Sequence, residues 1–134
     1  FQLKCVQEAT YRLKAPMHKG EYAIFRILEE YFASLKQGHR VIPQLSLGSI
    51  MKCSTKNGFI SIAAKRLDYG IIDKWGTLVV GIEYNGSGHY IGNGPHSDAI
   101  KRLALNKAGV HVIEIIPEDT PQMILNKVKL FLAK

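Results

Sequence analysis

The sequence predicts a single three-layer α/β domain, and three patterns along its 134 residues support that prediction. Apolar residues at helical spacing come first, and short apolar runs with the character of strands follow them. Another helical segment, a further apolar run and a final amphipathic helix complete the chain. The predicted order of helix, three strands, helix, strand and helix is typical of a sheet that helices cover on both faces.

The first regular elements are predicted to be a helix over residues 20–36 and a half-buried strand over residues 41–50. The helix has apolar residues every three or four positions, whereas the strand alternates apolar and polar residues. Residues 1–19 show neither pattern, so we interpret them as an irregular N-terminal arm and residues 20–134 as the folded domain. The apolar positions of the helix are Ile24, Phe25, Leu28, Tyr31, Phe32 and Leu35.

Two apolar runs in the middle of the chain predict a hairpin of central strands. Residues 67–73 and 77–84 are rich in β-branched side chains and are joined by Lys74-Trp75-Gly76. Their nearly continuous hydrophobicity indicates strands that are covered on both faces. Before them, Asn57-Gly58 predicts a tight turn, and residues 59–63 are able to form a short strand after it, which is not counted among the three strands.

The last third of the chain predicts a glycine-rich loop, a helix, a strand and a final helix. The loop covers residues 86–95, and a helix capped by Ser97 is expected to continue through Ala108, with Gly109 after it as the stop. Residues 110–116 are expected to form a buried strand. Thr120-Pro121 is expected to start the final amphipathic helix.

Composition narrows the class of partner. Lys and Arg number 18 against 11 Asp and Glu, which gives a net charge of +7. This charge favours a polyanionic partner such as nucleic acid. An equal alternative is that the charge only keeps the protein soluble. No apolar run approaches the ~20 residues that a membrane helix needs. Cys5 and Cys53 are far apart and lack zinc-ligand spacing, so the sequence indicates neither a zinc site nor a disulfide framework. We therefore expect reduced cysteines and a cytoplasmic protein, and the short apolar runs predict no membrane partner.

Two carboxylates on the predicted hairpin are the leading candidates for chemistry. Asp68 lies inside one strand and Glu83 ends the next, so the turn between the strands can bring the two side chains together. Adjacent carboxylates repel each other unless a cation lies between them, and Mg²⁺ suits that position because it needs only one or two protein carboxylates. The sequence therefore predicts a site for Mg²⁺ (or Mn²⁺) that hydrolyses phosphodiester bonds through an activated water.

Each of these residues also has an ordinary structural explanation. Asp68 can simply pair with Lys65 or Arg66, and Glu83 can be an exposed strand end. What favours chemistry is the combination of two carboxylates on neighbouring strands with a glycine-rich loop and a charged helix directly after them.

A resemblance to a known superfamily follows from these motifs. The chain resembles the PD-(D/E)XK, or restriction-endonuclease-like, nucleases over about residues 20–116. Within that superfamily it looks like an uncharacterised bacterial family related to very-short-patch-repair endonucleases. The resemblance implies an αβββαβ core with a mixed central sheet flanked by helices. The motifs that carry it are Leu67-Asp68-Tyr69, Ile82-Glu83-Tyr84-Asn85-Gly86, His89, Asp98-x-x-Lys101 and Ala108-Gly109-Val110.

The resemblance also implies a set of metal ligands. Asp68, Glu83 and the backbone carbonyl of Tyr84 would bind Mg²⁺. Glu21, in the first helix, would reach the metal or hold the residues around it. The alternative for Glu21 is a carboxylate that only interacts with the helix dipole at the N-terminus of that helix.

One position departs from the superfamily pattern. Asn85 stands where these nucleases often have a catalytic lysine. Its amide can orient a water molecule or bind the metal through its oxygen, but it cannot act as a cation there. Lys101 would supply the missing charge from the following helix. The alternative for Lys101 is an ordinary i, i+3 ion pair with Asp98.

The remaining expectations concern nucleic acid, with DNA as the expected substrate. His89 would contact phosphate or donate a proton to the leaving oxygen, and Lys65, Arg66 and Arg102 would position the backbone. Because of Asn85, a second hypothesis is an inactive nuclease fold that binds nucleic acid or serves as an assembly module. The sequence contains no recognition element, so a homodimer and a targeting partner protein are both compatible with it.

Overall fold

The computed structural model describes residues 1–85 and 94–132. A 3₁₀ turn, Leu47–Ser49, follows the first strand. None of the helices within these two ranges is long and apolar enough to cross a membrane. The regular elements are α1 (Gln2–Glu8), α2 (Lys19–Leu35), β1 (Arg40–Ser46), α3 (Lys56–Ala63), β2 (Arg66–Ile72), β3 (Leu78–Tyr84), α4 (Gly94–Lys107), β4 (His111–Ile115) and α5 (Pro121–Leu132).

The strands form one mixed sheet in the order β1-β2-β3-β4. β1 is antiparallel to β2 and β2 to β3, whereas β4 lies parallel to β3, with Ile113 beside Ile82. Parallel neighbours need a crossover connection, and α4 provides it. The mixed α/β fold expected from the sequence is therefore present.

Each face of the sheet is buried by a different pair of helices. α2 and α5 cover one face, where Leu28 and Val128 pack on Tyr69, Ile71 and the inner residues of β3. α3 and α4 cover the other face through a smaller cluster, which consists of Leu47, Ile62, Leu67 and Leu105. Helices on both faces give the three layers that the apolar runs predict.

Most of the predicted elements are confirmed. The helix predicted over residues 20–36 is α2, the hairpin is β2 and β3, the last strand is β4 and the last helix is α5. Thr120 starts α5 because its Oγ1 accepts a hydrogen bond from the amide of Met123 at 3.2 Å. Gly109 follows α4 with a φ of +84°, a conformation that favours glycine.

Two local predictions are wrong. Residues 56–63 form helix α3 and not a tight turn with a strand, because Thr55 caps the helix by accepting a hydrogen bond from the amide of Gly58 at 3.0 Å. Ser97 does not cap α4, which begins at Gly94. Instead, the Ser97 hydroxyl accepts a hydrogen bond from Nζ of Lys65 at 2.9 Å.

The ends of two other predicted segments also differ. The N-terminal arm, residues 1–19, is not wholly irregular because it contains α1, a short helix without a buried residue. The strand predicted over residues 41–50 ends at Ser46, where the backbone turns into the 3₁₀ segment. Residues 86–93 of the predicted loop lie outside the described residues.

The pairing between β1 and β2 is irregular at Gln44. Pro43 pairs with Tyr69 and Leu45 with Leu67, but the ladder has no pairing between them, where Gln44 stands opposite Asp68. Gln44 also has a positive φ of +52°. At the same step the alternation of β2 is broken, because Leu67 packs into the α3–α4 cluster and Tyr69 into the opposite one. Asp68 therefore lies where β2 departs from regular pleating.

The conformation of Gln44 predicts an unusual order of stability for two substitutions. A left-handed backbone costs a non-glycine residue about 1–2 kcal/mol, so Gln44→Gly should be more stable than Gln44→Ala by roughly that amount. Both variants lack the amide, so their difference isolates the backbone. Urea unfolding measures it.

The same pair of substitutions at Arg40 is the control. Arg40 is exposed in β1 and does not have a positive φ. Arg40→Ala should be more stable than Arg40→Gly by about 0.5–1 kcal/mol, the ordinary order. If alanine is also the more stable residue at position 44, the left-handed conformation is wrong.

Candidate functional site

The hairpin brings the two predicted carboxylates together. Tyr69 pairs with Ile82, and one further step along the ladder puts Asp68 opposite Glu83. The amide of Asp68 donates a hydrogen bond to Oε2 of Glu83 at 3.3 Å. The amide of Tyr84 donates one to Oδ2 of Asp68 at 2.7 Å. Each carboxylate is thus held by the backbone of the neighbouring strand.

Lys101 reaches this pair from α4. Its Nζ forms an ion pair with Oε1 of Glu83 and donates a second hydrogen bond to the carbonyl oxygen of Arg66 at 2.9 Å. Asp98, the alternative partner one helical turn earlier, accepts a hydrogen bond from Nε of Arg102 at 2.9 Å. The structure therefore unites Lys101 with Glu83 across the sheet instead of with Asp98 along the helix.

Glu83 is not an exposed strand end. It is 6% exposed, in contrast with the half-buried Asp68. Burial raises the pKa of Glu83 to about 7, the Lys101 ammonium group opposes that shift, and the nearby Asp68 carboxylate adds to it. A carboxyl group of this kind gains from a second cation, because one lysine only partly offsets the cost of burial.

Glu21 is buried at the start of α2 and has its own partners. It forms a capping box with His18, whose Nε2 lies 3.1 Å from Oε1 of Glu21. Nε2 of Gln44 donates to Oε2 of Glu21 at 3.4 Å, and the Tyr69 hydroxyl donates to the Glu21 carbonyl oxygen at 2.6 Å. These contacts correspond to the helix N-terminal alternative for Glu21.

The other predicted site residues lie in several places. Asn85 directly follows β3, and its backbone N–H donates a hydrogen bond to the carbonyl oxygen of Ile115 at 2.8 Å. Arg102 is held within the protein by Asp98 and Glu114. Lys65 is half-buried against α4, Arg66 is exposed at the start of β2, and His89 lies outside the described residues.

His18 and Gln44 are neighbours of the site to which the sequence analysis assigns no role. Gln44 stands opposite Asp68 in the strand register, and its side chain is hydrogen bonded to Glu21. The rings of His18 and Tyr84 lie 5.9 Å apart. In the sequence, the His18–Glu21 capping box is signalled by the glutamate three residues after His18. This signal is weak because histidine is not a usual helix cap.

The donor set fits some metals better than others. Among residues 1–85 and 94–132, no group of three or more His, Cys, Asp or Glu side chains can hold a metal ion. Glu21 therefore does not join Asp68 and Glu83 in a three-carboxylate group. Two carboxylates beside the end of a strand fit Mg²⁺, which usually takes one or two carboxylates together with water and substrate phosphates. They do not fit a structural zinc ion, which needs four protein ligands.

The fold and these contacts define a mixed α/β domain with an acidic pair and a lysine at one end of its central hairpin. Residues 14–130 match a family described as a protein of unknown function, DUF2726. The chain belongs to this family. The matched region includes every element from α2 to β4 and most of α5.

Two curated relatives, both described as uncharacterised, are similar to this chain. A protein of Haemophilus influenzae is 41% identical over 107 residues, which are 80% of this chain and 56% of that protein. A protein of Sinorhizobium fredii is 25% identical over 112 residues, which are 84% of this chain and 81% of that protein. The chain thus spans little more than half the length of the first relative. No solved structure matches it significantly.

The raised pKa of Glu83 predicts how stability changes with pH in metal-free buffer. A carboxyl group that binds its proton more tightly in the folded state contributes stability below its ordinary pKa of 4.5 and loses it as the pH rises through about 7. The wild type should therefore lose stability between pH 4.5 and 8 relative to Glu83→Gln, which has no proton to release. Urea unfolding with EDTA across this range provides the measurement.

Glu30→Gln is the matched control, because Glu30 is an exposed carboxylate on α2. Its stability should follow that of the wild type at every pH. Parallel curves for the wild type and Glu83→Gln would show that Glu83 titrates as an ordinary glutamate.

Proposed function

We propose that this domain is a metal-dependent nuclease that hydrolyses phosphodiester bonds of DNA. The observation that carries the proposal is the convergence of Asp68, Glu83 and Lys101 at one point, from two adjacent strands and the crossover helix. Lys101 pairs with Glu83 and the carbonyl of Arg66, and Asp68 lies on the neighbouring strand, hydrogen bonded to the backbone of Tyr84. A buried carboxyl group whose pKa is raised, next to a second carboxylate and a lysine, is a typical candidate for a functional site. The net charge of +7 agrees with a polyanionic substrate.

The topology supports the assignment to the restriction-endonuclease-like class. A helix, an antiparallel three-stranded meander, a crossover helix and a parallel fourth strand follow one another, as in the αβββαβ core that the resemblance implies. α3 is an insertion between the first and second strands. Topology alone does not define chemistry, so the site carries the functional argument.

In this proposal, Asp68 and Glu83 hold Mg²⁺, with the carbonyl of Tyr84 as a third ligand. When bound, the ion would lower the pKa of a water molecule and offset negative charge on the phosphate. The backbone prepares the pair for this task, because the amides of Asp68 and Tyr84 orient the two carboxylates before any ligand arrives. Preorganised groups lose little entropy on binding.

Lys101 takes the place of the lysine that is missing at Asn85. Its ammonium group is held by Glu83 and the carbonyl of Arg66, so it is positioned next to the acidic pair. There it would stabilise the negative charge that develops on a phosphate during hydrolysis. Asn85, adjacent to Tyr84, can orient a water molecule but cannot supply charge.

An inactive nuclease fold that binds nucleic acid, or serves as an assembly module, is the second candidate. The observation in its favour is Asn85 together with the pairing of Lys101, whose charge already serves to neutralise Glu83. Binding of DNA without cleavage would distinguish this candidate from the first.

Plasmid nicking with Mg²⁺ or Mn²⁺ tests the proposal. The wild type should cut, and EDTA should stop it. Asp68→Asn and Lys101→Met should each reduce the rate roughly 100-fold or more. Asp68→Asn removes the charge of a proposed metal ligand, and Lys101→Met removes the cation that would stabilise negative charge on the phosphate. Glu30→Ala, which removes an exposed carboxylate on α2, should cut like the wild type.

Two results would contradict the nuclease. One is equal cleavage by the wild type and Asp68→Asn, which would place the reaction elsewhere. The other is binding of DNA without cleavage under every metal condition, which would favour the second candidate. Circular dichroism of each variant confirms that the fold is retained.

A further inference from the structure

Acidic residues are absent from a long part of the chain. Residues 31–67 contain none, although this stretch has six basic residues. Its first part contains the end of α2 and β1, and its second part contributes α3 and the segments around it to the other side of the sheet. The basic residues are Lys36, Arg40, Lys52, Lys56, Lys65 and Arg66.

α4 extends this imbalance on the same side. Its one acidic residue is Asp98, which is already paired with Arg102. Lys101 lies on the same helix and pairs with Glu83 of β3, and Lys107 is exposed in its last turn. We call the lysines of this side the basic face; they are Lys52, Lys56, Lys65, Lys101 and Lys107.

The opposite side of the sheet has a different balance. α2 carries three acidic residues against two basic ones. Two more acidic residues, Glu118 and Asp119, precede α5, and Lys127 and Lys129 on α5 balance them. The excess of positive charge is therefore concentrated on the side that α3 and α4 cover.

A groove of about 390 Å³ lies between α3 and α4 within the basic face. Lys52 and Lys107 stand at its rim, while its apolar wall includes Ile62, Ile100 and Leu103. None of the described residues that line it is aromatic, so among them there is no platform on which the bases of single-stranded nucleic acid could stack. Lysines at the rim of a concave surface are suited to phosphates of a backbone instead.

The basic face continues to the proposed catalytic centre. Lys101 contacts Glu83, and Lys65 is hydrogen bonded to Ser97 on the same helix. From Lys101 to Lys107, α4 rises about 9 Å, so the positive charge extends away from the centre along the helix. A polyanion on this face would pass beside Glu83.

We propose that double-stranded DNA docks on the basic face through its phosphate backbone, without reading base sequence. This inference rests on the proposed nuclease function and adds the surface that presents the substrate. Arg102, which the sequence suggested as a contact to the DNA backbone, is instead paired with Asp98 and Glu114. The proposed contacts to phosphate are therefore Lys52, Lys56 and Lys107. These three side chains are exposed.

Fluorescence anisotropy with a short labelled duplex tests the inference, in EDTA so that no cleavage occurs. The variant K52E/K56E/K107E should bind roughly tenfold more weakly or worse than the wild type at low salt. Its plot of log affinity against log salt should be shallower by about 2–3, because each lost phosphate contact removes about 0.9 from the slope. If charge reversal harms folding, the neutral variant K52Q/K56Q/K107Q replaces it. Its affinity and its salt slope should then fall in the same direction.

The matched control is K36E/K74E/K129E. It changes the net charge equally at three exposed lysines that lie at the end of α2, in the β2–β3 turn and on α5. Its affinity should fall by much less, and its salt slope should stay close to that of the wild type.

Three outcomes would overturn the inference: equal losses in both triple variants, no loss in either, or tighter binding of a single strand of the same sequence. The nuclease proposal is judged separately by cleavage. A wild type that binds through the basic face but never cuts would overturn the nuclease and leave this surface standing. A wild type that cuts while K52E/K56E/K107E binds like the control would overturn the surface alone.

Discussion

The ion pair between Glu83 and Lys101 is the interaction on which the arrangement of this site depends. A glutamate that is 6% exposed must be neutralised or hydrogen bonded, because an unpaired buried charge costs several kcal/mol. Lys101 meets that need only if α4 crosses the sheet at one position. The ion pair thereby ties the crossover helix to the central hairpin and places a cation beside Asp68. The acidic pair is held by backbone amides and the lysine by two acceptors, so the centre is ordered before any substrate binds.

A second constraint lies on the other side of Asp68. Gln44 adopts a left-handed conformation at the step where the β1–β2 ladder is interrupted, and it is hydrogen bonded to Glu21 in the capping box of α2. Strained backbone of this kind concentrates at functional sites, because the surrounding structure must hold it in place. On the α2 side, His18, Glu21 and Gln44 are connected by hydrogen bonds, and on the α4 side Lys101 contributes positive charge. Asp68 lies between the two.

The sequence predicts the parts of the structure that depend on local pairing. The hairpin and the meeting of Asp68 with Glu83 follow from two apolar runs and the short turn between them. α3 was not predictable in this way, because the cap on Thr55 and the burial of Ile62 override the turn signal of Asn57-Gly58. The link from Gln44 to Glu21 joins segments that are 23 positions apart, so no local pattern reveals it. The basic face also needs the fold, since it forms only when α3 and α4 lie side by side.

The most direct measurement of the central claim is a crystal structure of the protein soaked with Mn²⁺, with anomalous scattering used to locate the ion. We expect one Mn²⁺ site bound by the carboxylates of Asp68 and Glu83, with Lys101 still within reach of Glu83. A complete soak that shows no anomalous density between Asp68 and Glu83 would contradict a metal centre here. In that result, the two carboxylates would keep their present contacts with the backbone and with Lys101. The Glu83–Lys101 pair would then be a purely structural ion pair.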